Sequence, residues 1–136
     1  MRYLARREYA AAELIDKLAQ RGYDEAVVRT VVRALGDAGL QDDARYTEAF
    51  IRSRVERGHG PVKIGVELRR RGIDGDAIGP ALEAAADWFA LARAQRERRF
   101  GDARPGDWGE RAAQARFLEQ RGFTRDQIKA ALDGDE

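Results

Sequence analysis

Leu18-Ala19-Gln20-Arg21-Gly22-Tyr23 returns as Leu68-Arg69-Arg70-Arg71-Gly72-Ile73 and again as Leu118-Glu119-Gln120-Arg121-Gly122-Phe123, displaced each time by 50 residues. The register extends past these hexads: Val28, Ile78 and Ile128 align, as do Val32, Leu82 and Leu132. Columns that agree at one spacing mark an internal repeat. Glycine accepts the left-handed backbone that closes a helix, so Gly22, Gly72 and Gly122 read as the residues just past a helix end. The leucine four positions earlier then meets the apolar residue that follows, the contact of a Schellman motif. Asp24, Asp74 and Thr124 come next, each suited to cap a new helix, and Thr124 with Gln127 forms a capping box. Apolar residues recur at helical spacing beyond the caps: Val27, Val28, Val31, Val32 and Leu35 in the first unit, Ala77, Ile78, Ala81, Leu82 and Ala85 in the second. A tight helix-turn-helix is predicted three times.

A third helix per unit lies between these pairs. Gly39-Leu40 repeats the C-cap pattern with Leu35, after which Asp42 or Asp43 starts a helix to about Arg57 with Tyr46, Ala49, Phe50 and Ser53 facing inward. Gly58-His59-Gly60-Pro61 stops it, and Pro61 suits the first turn of the next helix. Asp87 to about Phe100, with Trp88, Phe89, Leu91 and Ala92 inward, fills the same slot in the third unit. A loop from Gly101 to Asp107 leads to a helix beginning near Trp108. Only Arg2 to Glu8 remain for the slot in the first unit, so its opening helix is expected to be short or truncated. The expectation is an all-α fold of three tandem three-helix repeats, packed into an elongated, curved body and bounded at 1–39, 40–86 and 87–136.

Composition agrees with this reading. In 136 residues, 43% are hydrophobic, three are prolines and none is cysteine, which excludes disulfides, thiolate metal sites and a cysteine nucleophile. No stretch has the apolar length of a membrane span or the centre of a signal peptide, so a cytoplasmic location is expected. Catalytic candidates are lacking. His59 is the sole histidine, reads as a solvated loop residue, and has no second ligand at metal-binding spacing. Ser53 is the sole serine and has no base beside it. Asp42 and Asp43 stand where a helix must start, and capping accounts for them. Neither enzyme activity nor a cofactor or metal is expected.

Charge is uninformative in total, at +1, but not in distribution. Between positions 45 and 71 lie Arg45, Arg52, Arg54, Arg57, Lys63, Arg69, Arg70 and Arg71 against Glu48, Glu56 and Glu67, a local excess of five. Arg93, Arg96, Arg98, Arg99 and Arg104 form a second cluster, and Asp133, Asp135 and Glu136 an acidic tail. Any single arginine of this kind is commonly a solvated face. Arginines concentrated on stacked helices suit phosphate or carboxylate recognition, and the first cluster together with Arg93 and Arg96 is taken as the partner-binding set.

Several runs carry a resemblance. Leu40-Gln41-Asp42-Asp43-Ala44-Arg45-Tyr46, Phe50-Ile51-Arg52-Ser53-Arg54, Gly58-His59-Gly60-Pro61-Val62-Lys63-Ile64 and Glu67-Leu68 with Gly72-Ile73 resemble the central signature of RecX, the bacterial regulator of the RecA recombinase. Tyr3-Leu4-Ala5-Arg6-Arg7-Glu8-Tyr9 with Glu13-Leu14, and Arg116-Phe117-Leu118 with Arg121-Gly122-Phe123, are similar to that family's outer units. The resemblance implies a monomeric cytoplasmic protein that binds RecA, lodges in the groove of its nucleoprotein filament and restrains recombinase, ATPase and co-protease activity. DNA recombination, repair and the SOS response would be regulated thereby, and the chain would contact DNA, if at all, without sequence preference. The rival expectation is a helix-turn-helix protein that reads duplex sequence.

Overall fold

The structure, a computed structural model, describes residues 8–39 and 41–134. Among them are eight helices and no strand: α1 (Ala11–Gln20), α2 (Glu25–Asp37), α3 (Asp43–Glu56), α4 (Pro61–Arg70), α5 (Gly75–Ala85), α6 (Trp88–Phe100), α7 (Trp108–Arg121) and α8 (Arg125–Asp133). The expected opening helix falls, apart from Glu8, outside the described residues, as do Leu40, Asp135 and Glu136.

The triplicated turn is built as its sequence requires. Gly22, Gly72 and Gly122 have φ of 92°, 87° and 96°. Tyr23, Ile73 and Phe123 each donate a backbone hydrogen bond to the carbonyl of Leu18, Leu68 or Leu118, at 3.4, 3.1 and 3.2 Å. Ile73 and Phe123 are buried, whereas Tyr23 is 60% exposed, so the apolar half of the motif is complete in two units only. Asp24, Asp42, Asp74, Asp87, Asp107 and Thr124 cap their helices through side-chain oxygens, and Thr124 with Gln127 closes the capping box. Such a cap stabilises a helix by about 1 kcal/mol.

In the second unit α3 packs on α4 and α5, and α4 on α5; in the third α6 packs on α7 and α8, and α7 on α8. Because α3 touches two helices, its buried arc is wider than one stripe. Thr47 and Ile51 are buried beside Tyr46 and Phe50, and the expected Ala49 and Ser53 are only half-buried. Val28, Val32 and Ile78 are core as expected, but Val27, Val31, Ala77 and Ala85 are exposed, as is Phe89 of α6. Tyr9, Leu14, Leu18, Val28 and Val32 make one small core. A larger core runs from Tyr46, Ile51, Ile64 and Leu68 through Trp88 to Leu118, Phe123 and Ala131, fusing the second and third units. Trp88 also donates its indole N–H to the Leu82 carbonyl, 2.8 Å away, which ties α6 to the end of α5.

Candidate partner-binding surface

The joint between the second and third units positions the basic side chains. At the end of α3, Gly58 turns with φ 81° and His59 donates its backbone N–H to Arg54 O. Gly60 then starts α4 without a side chain to cap it. The open donors are satisfied from the next unit instead: Gly60 N–H reaches Arg121 O at 2.7 Å and Val62 N–H reaches Gly122 O at 2.9 Å. A Cβ on Gly60 would lie 2.5 Å from the Gly122 carbonyl, so the two backbones meet where only glycine fits. The Arg121 guanidinium completes the contact by donating to Arg57 O at 3.0 Å.

A groove of about 610 Å³ opens on this joint, with Arg57, Lys63 and Arg70 on its walls and the exposed Val62 and Val66 between them. No ion pair among the described residues engages those three cations. Arg54 lines the same groove but is committed to structure: its side chain is 13% exposed, Nε lies 3.2 Å from Glu67 Oε2, and its guanidinium sits 4.2 Å from the Phe50 ring centroid.

His59 is half-buried here rather than solvated, with Nδ1 3.8 Å from Glu67 Oε1. Burial, then the charges of Lys63, Arg54 and Arg121, lower its pKa from 6.5, against the opposing pull of Glu67. The folded state therefore resists a proton that the unfolded chain accepts. Stability is expected to fall as the pH drops below 6.5, and this loss to shrink in His59→Gln. Urea unfolding at about pH 7.5 and about pH 5.5 measures it, and equal pH dependence in the two proteins would contradict the burial of the imidazole.

The other candidates are dispersed. Arg71 turns to the first unit, donating to Glu13 Oε2 and Tyr46 Oη, both at 3.1 Å. Arg45 pairs with Glu8 at 3.1 Å. Arg52 stands by the α3–α5 cleft beside Glu48 and Glu56, and Arg69 is exposed on α4. Arg93 is half-buried. Arg96 corrects the expectation of an accessible cation: it is 4% exposed and donates to Ala103 O at 3.0 Å, fastening the 101–107 loop. The reason is helical phase, since Arg96 follows the buried Trp88 and Ala92 at intervals of four.

Three arginines outside the expected set join Arg57 around a second hollow: Arg98, Arg99 and Arg121. Arg98 and Arg99 were visible as charge, but only the helix phase separates them from Arg93 and Arg96. Among the described residues no three or more His, Cys, Asp or Glu side chains gather as a metal site, and no helix is long and apolar enough to cross a membrane.

Comparison with known proteins bears on this architecture. Residues 1–35, 42–82 and 85–132 match family models described as the first, second and third three-helix domains of RecX. The regulatory protein RecX of Halorhodospira halophila (strain DSM 244 / SL1) is 54% identical over 132 residues, covering 96% of this chain and 82% of the relative. Regulatory protein RecX of Acidithiobacillus ferrooxidans (strain ATCC 53993 / BNL-5-31) is 45% identical, covering 97% and 85%. The crystal structure of RecX from Lactobacillus salivarius shares the fold with a TM-score of 0.82 at 21% identity, over 98% of this chain and 89% of that one. With three-helix units matched in order along nearly its whole length, the chain belongs to the RecX family of regulatory proteins.

Proposed function

We propose that the chain regulates the RecA recombinase by binding its nucleoprotein filament, mainly as an inhibitor of recombinase, ATPase and co-protease activity, and so regulates DNA repair, recombination and the SOS response. It acts as a cytoplasmic, monomeric binding protein with no catalytic step of its own, organised in units bounded at 1–39, 40–86 and 87–136. The choice of partner rests on family membership. The observation that carries the binding surface is the groove in which Arg57, Lys63 and Arg70 stand around two exposed valines with no ion-pair partner among the described residues. Unpaired cations beside apolar side chains suit a partner face that is acidic at its rim and apolar within. Helices wedged between filament turns would obstruct duplex DNA and hinder the subunit motions coupled to ATP turnover.

Lys63→Glu with Arg70→Glu tests this. Each lost or inverted charge contact is worth about 1 kcal/mol, so the pair should weaken inhibition of strand exchange and ATPase by roughly 30-fold. Both residues are exposed and outside the core, and the helical circular dichroism should not change. Undiminished inhibition would remove the groove from the mechanism. A sequence-reading helix-turn-helix role is poorly supplied in the central unit, where α5 carries no Lys or Arg, and Arg29 of α2 is held by Glu25 at 2.9 Å; the exposed Arg33 of α2 and Arg125 and Lys129 of α8 are its remaining candidates, and DNA affinity indifferent to sequence would remove it.

A further inference from the structure

The second hollow, about 350 Å³, lies where the C-terminal ends of α3, α6 and α7 converge. Arg57, Arg98, Arg99 and Arg121 line it against one carboxylate, Glu56. Cations near helix C-termini also complement the helix dipoles, which accounts for one arginine per helix. It does not account for Phe117, which also lines the hollow, or for Phe100, which packs on Phe117 beside it. Phe100, 37% exposed, and Phe117, half-buried, meet edge to face with centroids 5.4 Å apart. The Arg99 guanidinium lies 5.8 Å from both rings, and that of Arg121 lies 5.1 Å from Phe117. Arg121 is fixed by its hydrogen bond to Arg57 O, so the locked joint between the second and third units sets the geometry of the hollow.

We propose that this hollow and the exposed Phe100 beside it form a seat for single-stranded nucleic acid, with Arg57, Arg98 and Arg99 on consecutive phosphates and the Phe100 face, with the Arg99 plane next to it, against an unpaired base. Guanidiniums match phosphate in charge and fork geometry, and aromatic faces accept any unstacked base. An acidic peptide would use the cations and leave the aromatic pair idle. A duplex keeps its bases stacked and out of reach of Phe100. The inference does not depend on the recombinase reading, because strand binding is measured on the chain alone and none of the varied residues is shared with the Lys63 and Arg70 test.

The experiment is fluorescence anisotropy of the full chain with a labelled oligothymidine of about 20 nucleotides, over a range of salt concentrations. Arg98→Glu with Arg99→Glu should weaken binding at least ~10-fold and reduce the slope of log affinity against log salt by about 1.4, the value for two phosphate contacts on a single strand. Phe100→Ala should weaken binding by ~5-fold or more with the salt slope unchanged, since stacking releases no counterions. If charge reversal lowers the melting temperature, Arg98→Gln with Arg99→Gln decides, with a loss of roughly 5-fold expected. Unaltered binding in these variants, or equal affinity for polyglutamate or for a duplex of the same length, would overturn the proposal.

Discussion

Gly122→Ala is expected to cost about 3–4 kcal/mol, whereas Gly22→Ala, at the equivalent place one hundred residues earlier, is expected to cost only about 1 kcal/mol. Both glycines sit in left-handed backbone, at φ 96° and 92°, so each alanine pays a similar conformational penalty of roughly 1–2 kcal/mol. What differs is the space around them. A Cβ on Gly22 meets nothing within 4 Å. One on Gly122 would strike the backbone of α4, with the Lys63 nitrogen 2.8 Å away. Backbone has no rotamer to yield with, so the joint must open, and the hydrogen bonds from Gly60 and Val62 lengthen with it. For a chain of this size the difference corresponds to roughly 6–10 °C in melting temperature between the two variants. Thermal unfolding of the pair side by side measures it, and equal shifts would show that the third unit does not seat on α4.

Arg71→Ala is the second large effect, at about 3 kcal/mol. The guanidinium bridges the first and second units: it donates to Glu13 on α1 and to Tyr46 on α3, and it lies 4.9 Å from the Phe50 ring centroid. The Glu13 side chain is only 12% exposed, so removing the cation takes a charge-assisted contact from a carboxylate that water reaches poorly. Breaking such a contact from one side costs more than the pair contributes in the intact protein. Arg71→Lys keeps the charge but not the two-armed geometry, and about half of the loss should remain. In a double-mutant cycle with Glu13→Gln the coupling should reach about 1–2 kcal/mol by denaturant unfolding. Additive losses would mean that the bridge carries no interaction energy and that the first unit is held by other contacts.

These two positions show how far the sequence could be read. Turns and caps were legible because they are local: a glycine before an apolar residue, or an aspartate before a helix, encodes its geometry within a few positions. Gly22, Gly72 and Gly122 carry the backbone their spacing called for, and Asp24, Asp74 and Thr124 carry the caps. The joint at Gly60 and Gly122 was not legible, because close approach is recorded in a sequence only as missing side chains, and a missing side chain names no partner. The candidate surface divides in the same way. Charge on α3 and α4 was evident, but whether an arginine faces solvent depends on helix phase and on neighbours from other units. Phase puts Arg96 in the interior and leaves Arg98 and Arg99 outside. Arg121 reads in the sequence as half of a turn signature, and its reach to Arg57 O depends on tertiary packing alone.

The seating of α7 on α4 has a bearing on how the chain comes into being. Translation delivers Gly60 and Val62 long before Arg121 and Gly122, whose carbonyls receive their N–H groups. While the ribosome is still between them, those amides are served by water, and the middle unit waits with one helix end unfinished. The order of synthesis is thus not the order of completion: the centre of the molecule matures last, when the tail returns to it.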